Sequence, residues 1–134
     1  MKKIIPELLA IRAMLITLSL FLVFHLLVIA GIIPYGIVWG SRLNSRAEML
    51  NFEAISVCIN VVILVIVLIR AALLRLPVPI TALRVALFLI AALFLLNTIG
   101  NLLSGNLFER IAFTPVTLLL FVCSLRLAAV PESK

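Results

Sequence analysis

The sequence predicts an all-α polytopic membrane protein: one four-transmembrane-helix bundle with both termini on the cytoplasmic side. Three observations carry that prediction. Of 134 residues, 66% are hydrophobic and 12% are charged, against about 45–50% and ~25% in ordinary globular chains, and mean hydropathy is +1.40. A water-soluble domain of this length has too little interior to hide so much apolar surface. The apolar residues also fall into four stretches, each close to the ~20 residues needed to cross a bilayer, with the basic residues distributed unevenly around them. The composition excludes a soluble enzyme domain, a disordered tail and a disulfide scaffold.

The expected spans are 13–33, 50–72, 81–102 and 110–130. Lys2 and Lys3 precede the first, and Val28-Ile29-Ala30 resembles a secretory cleavage site. The apolar run from Ala13 to Ile33 is longer than a signal core, however, and reads as a span. Pro6 suits a first helical position, where its missing N–H costs nothing. The helix is expected to run to about Ile33, with Arg12 snorkelling and Pro34 as the stop. Tyr35 and Trp39 suit the headgroup belt. Ser45 and Glu48 form an S-x-x-E capping box, so the second helix is expected to start near Arg46. It should continue through Leu74 before Pro77 and Pro79 break it. Thr81 is the expected cap of the third helix and Gly105 its left-handed stop. Asn106 and Glu109 repeat the capping pattern, and Pro115 either kinks the fourth helix or begins it. No stretch has a soluble amphipathic period; each is apolar nearly all round, as expected in lipid.

Eleven Lys and Arg against five Asp and Glu give a net charge of +6. The basic residues flank apolar runs without forming a stripe, which points to topology and anionic headgroups and away from nucleic acid. With the N-terminus inside, Lys2, Lys3, Arg12, Arg70, Arg75, Arg84, Arg126 and Lys134 lie inside. Arg42, Arg46 and Arg110 then lie outside. That asymmetry favours N-in and C-in. Cys58 and Cys123 are isolated within apolar runs and read as small hydrophobes, with a disulfide left open.

Polar groups in hydrocarbon are expensive, so each is a candidate site. His25 lies eight residues before Ile33, roughly 12 Å below the outer boundary. Glu53, Ser56 and Asn60 are spaced by three and four and share a face, and Asn97, Asn101 and Ser104 repeat that spacing. Glu109 and Arg110 open the fourth helix. All four helices thus send polar side chains into the outer half of the bundle, where they would form an outer-leaflet pocket. The alternative is that the Asn and Ser groups are hydrogen-bonding glue between helices. In that case Glu53 and Glu109 lie at the interface, solvated or paired with Arg42, Arg46 or Arg110.

No P-loop, dinucleotide fingerprint, G-x-S-x-G or H-E-x-x-H occurs. One His and two separated Cys are too few for a zinc site, and no metal or other cofactor is expected. A small multidrug-type exchanger would carry an acid well inside its first helix, whereas Glu7 here is juxtamembrane.

The runs Gly31-Ile32-Ile33-Pro34-Tyr35, Val38-Trp39-Gly40-Ser41-Arg42-Leu43 and Phe52-Glu53-Ala54-Ile55-Ser56 resemble small four-span bacterial integral membrane proteins of uncharacterised function. So do Asn97-Thr98-Ile99-Gly100-Asn101 and Phe108-Glu109-Arg110 with Thr114-Pro115. The resemblance implies the four-span fold and a bacterial inner membrane as the location, and supplies no activity or substrate.

Three functions are expected in descending order. The first is a non-enzymatic protein that binds a small solute, a lipid or a partner helix through the polar pocket. The second is an intramembrane enzyme acting on a lipid or isoprenoid-like substrate, with His25 as acid or base and Glu53 as its partner. The third is a dimeric small transporter packed through Gly100, Ala91 or Ala92. Membrane lipids, a second copy or another membrane protein are the expected partners.

Overall fold

The computed structural model describes residues 5–34 and 44–129. Tyr35, Trp39 and Arg42 lie outside these residues. Among the described residues there are four helices, α1 (Glu7–Ile29), α2 (Arg46–Arg70), α3 (Ile80–Leu102) and α4 (Thr114–Ala129), with a π-helical turn at Glu109–Phe113 leading into α4. Each of α1, α2, α3 and the continuous segment Glu109–Ala129 is long and apolar enough to cross a membrane. Large apolar side chains such as Leu20, Leu89, Leu96 and Ile111 face outward, the arrangement of a bundle whose solvent is lipid.

Local chemistry sets the helix ends. Ser45 caps α2 as its spacing predicts, its Oγ accepting from the Glu48 N–H at 3.1 Å. Asn106 likewise accepts from the Phe108 and Glu109 N–H groups at 2.8 and 3.3 Å. Elsewhere the ends differ from expectation. α1 stops at Ile29, short of Pro34, because Gly31 takes φ +84° and the Ile32 N–H closes on the Leu27 carbonyl at 3.0 Å. α2 ends at Arg70, short of Leu74, in the same way: Ala72 takes φ 60° and the Leu73 N–H bonds the Leu68 carbonyl at 3.0 Å. Pro79, and not Thr81, precedes α3, which ends before Leu103 without a left-handed glycine at Gly105. Pro115 does not break the fourth helix: it is the second residue of α4, close to the expected opening at Thr114 and Pro115, and the π turn runs into it without interruption. It lacks the N–H that would bond back to Ile111, and the wider π turn just before it accommodates that missing rung.

The four helices pack as an open ring. α3 lies along α4 and α1 joins α4 to α2, while α2 and α3 scarcely touch. The main core fills the half of the bundle nearer the termini, where Met14, Leu18, Val67, Leu87, Leu120 and Leu127 are almost completely buried. A smaller cluster, Val28 and Met49 with Phe24 and Phe113 against them, closes the opposite end. Cys58 and Cys123 are both free thiols, the first exposed and the second buried.

Candidate functional site

A cavity of about 580 Å³ lies between the two apolar clusters, lined from all four helices. From α1 come Phe21, Phe24 and His25, and from α2 come Glu53, Ser56 and Asn60. α3 supplies Asn97, Gly100 and Asn101, and the π turn and α4 supply Glu109, Phe113 and Thr117. Its mouth faces the gap between α2 and α3, where the lining residues Phe52, Ile55, Ile59, Leu96 and Asn97 are exposed. Spacings of three and four on α2 and of four on α3 place these polar groups on inward stripes.

The central contact joins α1 to α2. His25 Nδ1 stands 2.6 Å from Glu53 Oε2. Glu53 is 0% exposed and the His25 side chain 20% exposed. With Glu53 ionised, Nδ1–H donates to the carboxylate, which fixes the ring and leaves Nε2 for another partner. Phe21 and Phe24 make edge-to-face contacts with the imidazole, at centroid distances of 6.4 and 5.9 Å. Phe113 packs in turn against Phe21, Phe24 and Phe108, giving the cavity an aromatic wall. Because α1 ends at Ile29, His25 lies one turn from the end of its helix, roughly 6 Å along the axis.

Further bonds link α3 and the segment after it to the π turn and α4. Ser104 Oγ donates to Glu109 Oε2 at 2.5 Å. Thr117 Oγ1 receives Thr98 Oγ1–H at 3.0 Å and Asn101 Nδ2–H at 3.3 Å. Asn60 is 6% exposed, and its Oδ1 has no hydrogen-bond partner. Among the described residues no three His, Cys, Asp or Glu side chains gather as a metal site would require.

Comparison with known protein families, curated proteins and solved structures finds no match for this chain.

Of the eight residues singled out from sequence, His25, Glu53, Ser56, Asn60, Asn97, Asn101 and Glu109 line one cavity. Arg110 does not; it is exposed and outside the lining. Ser104, grouped with the Asn stripe, serves Glu109 and is not in the lining. Sequence reading missed Thr117 and the phenylalanine wall. Glu109, Phe113 and Thr117 recur every four residues, as do Phe21 and His25, and that spacing was the available signal. Ala91, a candidate for dimer packing, is 1% exposed inside its own bundle, whereas Ala92 and Gly100 remain on the surface.

Proposed function

We propose that this chain is a bacterial inner-membrane protein, N-in and C-in, that binds the polar part of a membrane-resident ligand in the cavity among His25, Glu53, Asn60 and Asn97. The observation that carries the reading is the roofless geometry: polar groups from every helix meet in one space of about 580 Å³ whose mouth opens sideways between α2 and α3. Glue between helices needs donors and acceptors in mutual contact. Asn60 Oδ1 instead has no hydrogen-bond partner, and Asn97 faces the cavity on an exposed position. The charge asymmetry supports the orientation, because arginines concentrate at the helix ends nearest the termini.

The test is thermal unfolding of the purified chain with and without a total lipid extract of a bacterial inner membrane. The extract is expected to raise Tm for the wild type and to lose that effect with Asn97→Ala, a substitution at an exposed position whose own Tm without extract should stay near that of the wild type. Equal stabilisation of both proteins would refute the reading.

A second reading rests on the His25–Glu53 pair. A carboxylate-oriented imidazole beside a lipid-accessible cleft is the arrangement an acid–base enzyme acting on a lipid or isoprenoid-like substrate requires. Chemical turnover of any component of the same extract, abolished by His25→Ala, would favour it over simple binding.

A further inference from the structure

The π turn at Glu109–Phe113 decides which charged side chain the fourth helix turns toward the cavity. Thr117, just beyond it in α4, is buried and lines the cavity, where it receives Thr98 Oγ1–H and Asn101 Nδ2–H. Counted back from Thr117 along a regular α-helix of about 3.6 residues per turn, Arg110 would lie roughly 20° from the Thr117 direction and Glu109 roughly 80° from it. The structure has the reverse. Glu109 is 5% exposed and lines the cavity, while Arg110 is exposed and outside the lining. The i→i+5 turn takes up about one residue more than an α turn does, and that lag carries Glu109 inward and Arg110 outward.

Two neighbouring residues at the end of the turn favour opposite registers. Within α4, Thr117 and Ser124 each donate their hydroxyl to the carbonyl four residues back, at 2.9 and 2.7 Å, a common resource of a hydroxyl buried in a helix. Thr114 Oγ1 is buried and has no hydrogen-bond partner. The carbonyl four residues before it is that of Arg110, inside the π turn. An α register would bring that carbonyl to the hydroxyl, so Thr114 favours the register that the chain does not adopt. Pro115 opposes it. Were Glu109–Phe113 wound as α-helix, Pro115 would stand in a helix interior, with its ring against the Ile111 carbonyl and no N–H to bond it.

We infer that Pro115 is a positioning residue: it holds the turn in the π register and thereby sets Glu109, and not Arg110, in the cavity wall. Without it the Thr114 hydroxyl recovers its carbonyl, and the lining exchanges a carboxylate for a guanidinium. The charge that the fourth helix presents to a ligand thus follows from a residue outside the lining. The register itself needs no ligand to be tested; its effect on binding rests on the proposed ligand-binding reading.

The test reads the register by thiol accessibility, using the full chain in phosphatidylcholine nanodiscs and a charged methanethiosulfonate reagent. Cys58→Ala removes the exposed thiol, and Cys123 is buried. Glu109→Cys and Arg110→Cys are made singly in that background, each with and without Pro115→Ala. With Pro115 present, Arg110→Cys is expected to label fast and Glu109→Cys slowly. Pro115→Ala should slow the first and speed the second, each by about tenfold, within the shift that removing a helix-interior proline allows. Deleting Ala112 as well places Thr117 seven residues after position 109, close to two α turns, and should restore the original order. A helix that is merely loosened would label faster at both positions and would not be restored. Unchanged rates, faster labelling at both positions, or a swap that the deletion does not reverse would each overturn the inference. Fast labelling of Glu109→Cys with Pro115 in place would overturn it too, since the glutamate's own bonds would then set the register. In the lipid-extract experiment, Pro115→Ala should lose the stabilisation and the added deletion should regain it. A labelling swap with undiminished stabilisation would overturn the effect on binding. An extract that stabilises no variant and not the wild type overturns the ligand-binding reading alone, because the labelling has already decided the register.

Discussion

The two ends of the bundle treat their polar groups in opposite ways. At the end nearer the termini, three arginines lie among closely packed helices, and each donates to main-chain carbonyls. Arg70 Nε reaches the Leu127 carbonyl at 3.2 Å, Arg84 reaches those of Ala128 and Ala129 at 2.8 and 3.3 Å, and Arg126 Nε reaches that of Ile5 at 2.8 Å. Arg70 also pairs with Glu7 at 2.6 Å. The last carbonyls of α4, which helix geometry leaves without partners, are thereby satisfied by cations at the negative end of the helix dipole. Around the cavity toward the opposite end the polar groups are acids, amides, hydroxyls and one imidazole, and they surround a space. The first arrangement closes the bundle; the second holds part of it open between α2 and α3. The contrast shows that buried polarity marks a ligand site only where packing leaves room beside it.

The largest expected effect tests the closed end. Arg70→Ala removes a 5% exposed cation, its ion pair and its carbonyl bond, and should cost about 3 kcal/mol, the lower range for breaking a buried pair. Equilibrium unfolding in detergent micelles measures it, and a loss below about 1 kcal/mol would make the arginine clasp decorative. The cavity end comes next. His25→Ala takes the imidazole from a fully buried carboxylate and should cost about 2 kcal/mol. The double change with Glu53→Gln should cost less than the sum of the two single changes by about 1 kcal/mol or more, as contacting residues do. Strict additivity would mean that the 2.6 Å contact contributes no coupling. The smallest effect tests a helix end belonging to neither site. Ala72→Gly relieves a left-handed alanine and should stabilise by about 0.5–1 kcal/mol without altering ligand binding. No gain would show that the surrounding chain offsets the strain.

Much of the candidate site could be read from spacing. Glu53, Ser56 and Asn60 on one helix and Asn97 and Asn101 on another are costly in lipid unless turned inward, and inward faces of antiparallel neighbours meet at one end. Thr117 and Phe113 were overlooked because threonine and phenylalanine are ordinary in lipid-facing helices and carry no penalty that draws notice. The helix ends at Ile29 and Arg70 were misplaced for a related reason. In the sequence proline is the evident stop, whereas Gly31 and Ala72 close the last turns earlier by adopting positive φ. For Ala72 no residue type announced it.

The sequence by itself determined the helical class, the four apolar spans and the end of the bundle at which acids, amides and His25 collect. These depend on solvent preference and on spacing along one helix, both of which are properties of local sequence. Only the tertiary structure decided that His25 meets Glu53, that Arg110 stays outside, that arginines bind the end of α4, and that the ring opens between α2 and α3. Each of these depends on how a helix is rotated about its axis and which neighbour it touches. Helices apolar on every side leave that rotation unspecified until side chains interlock.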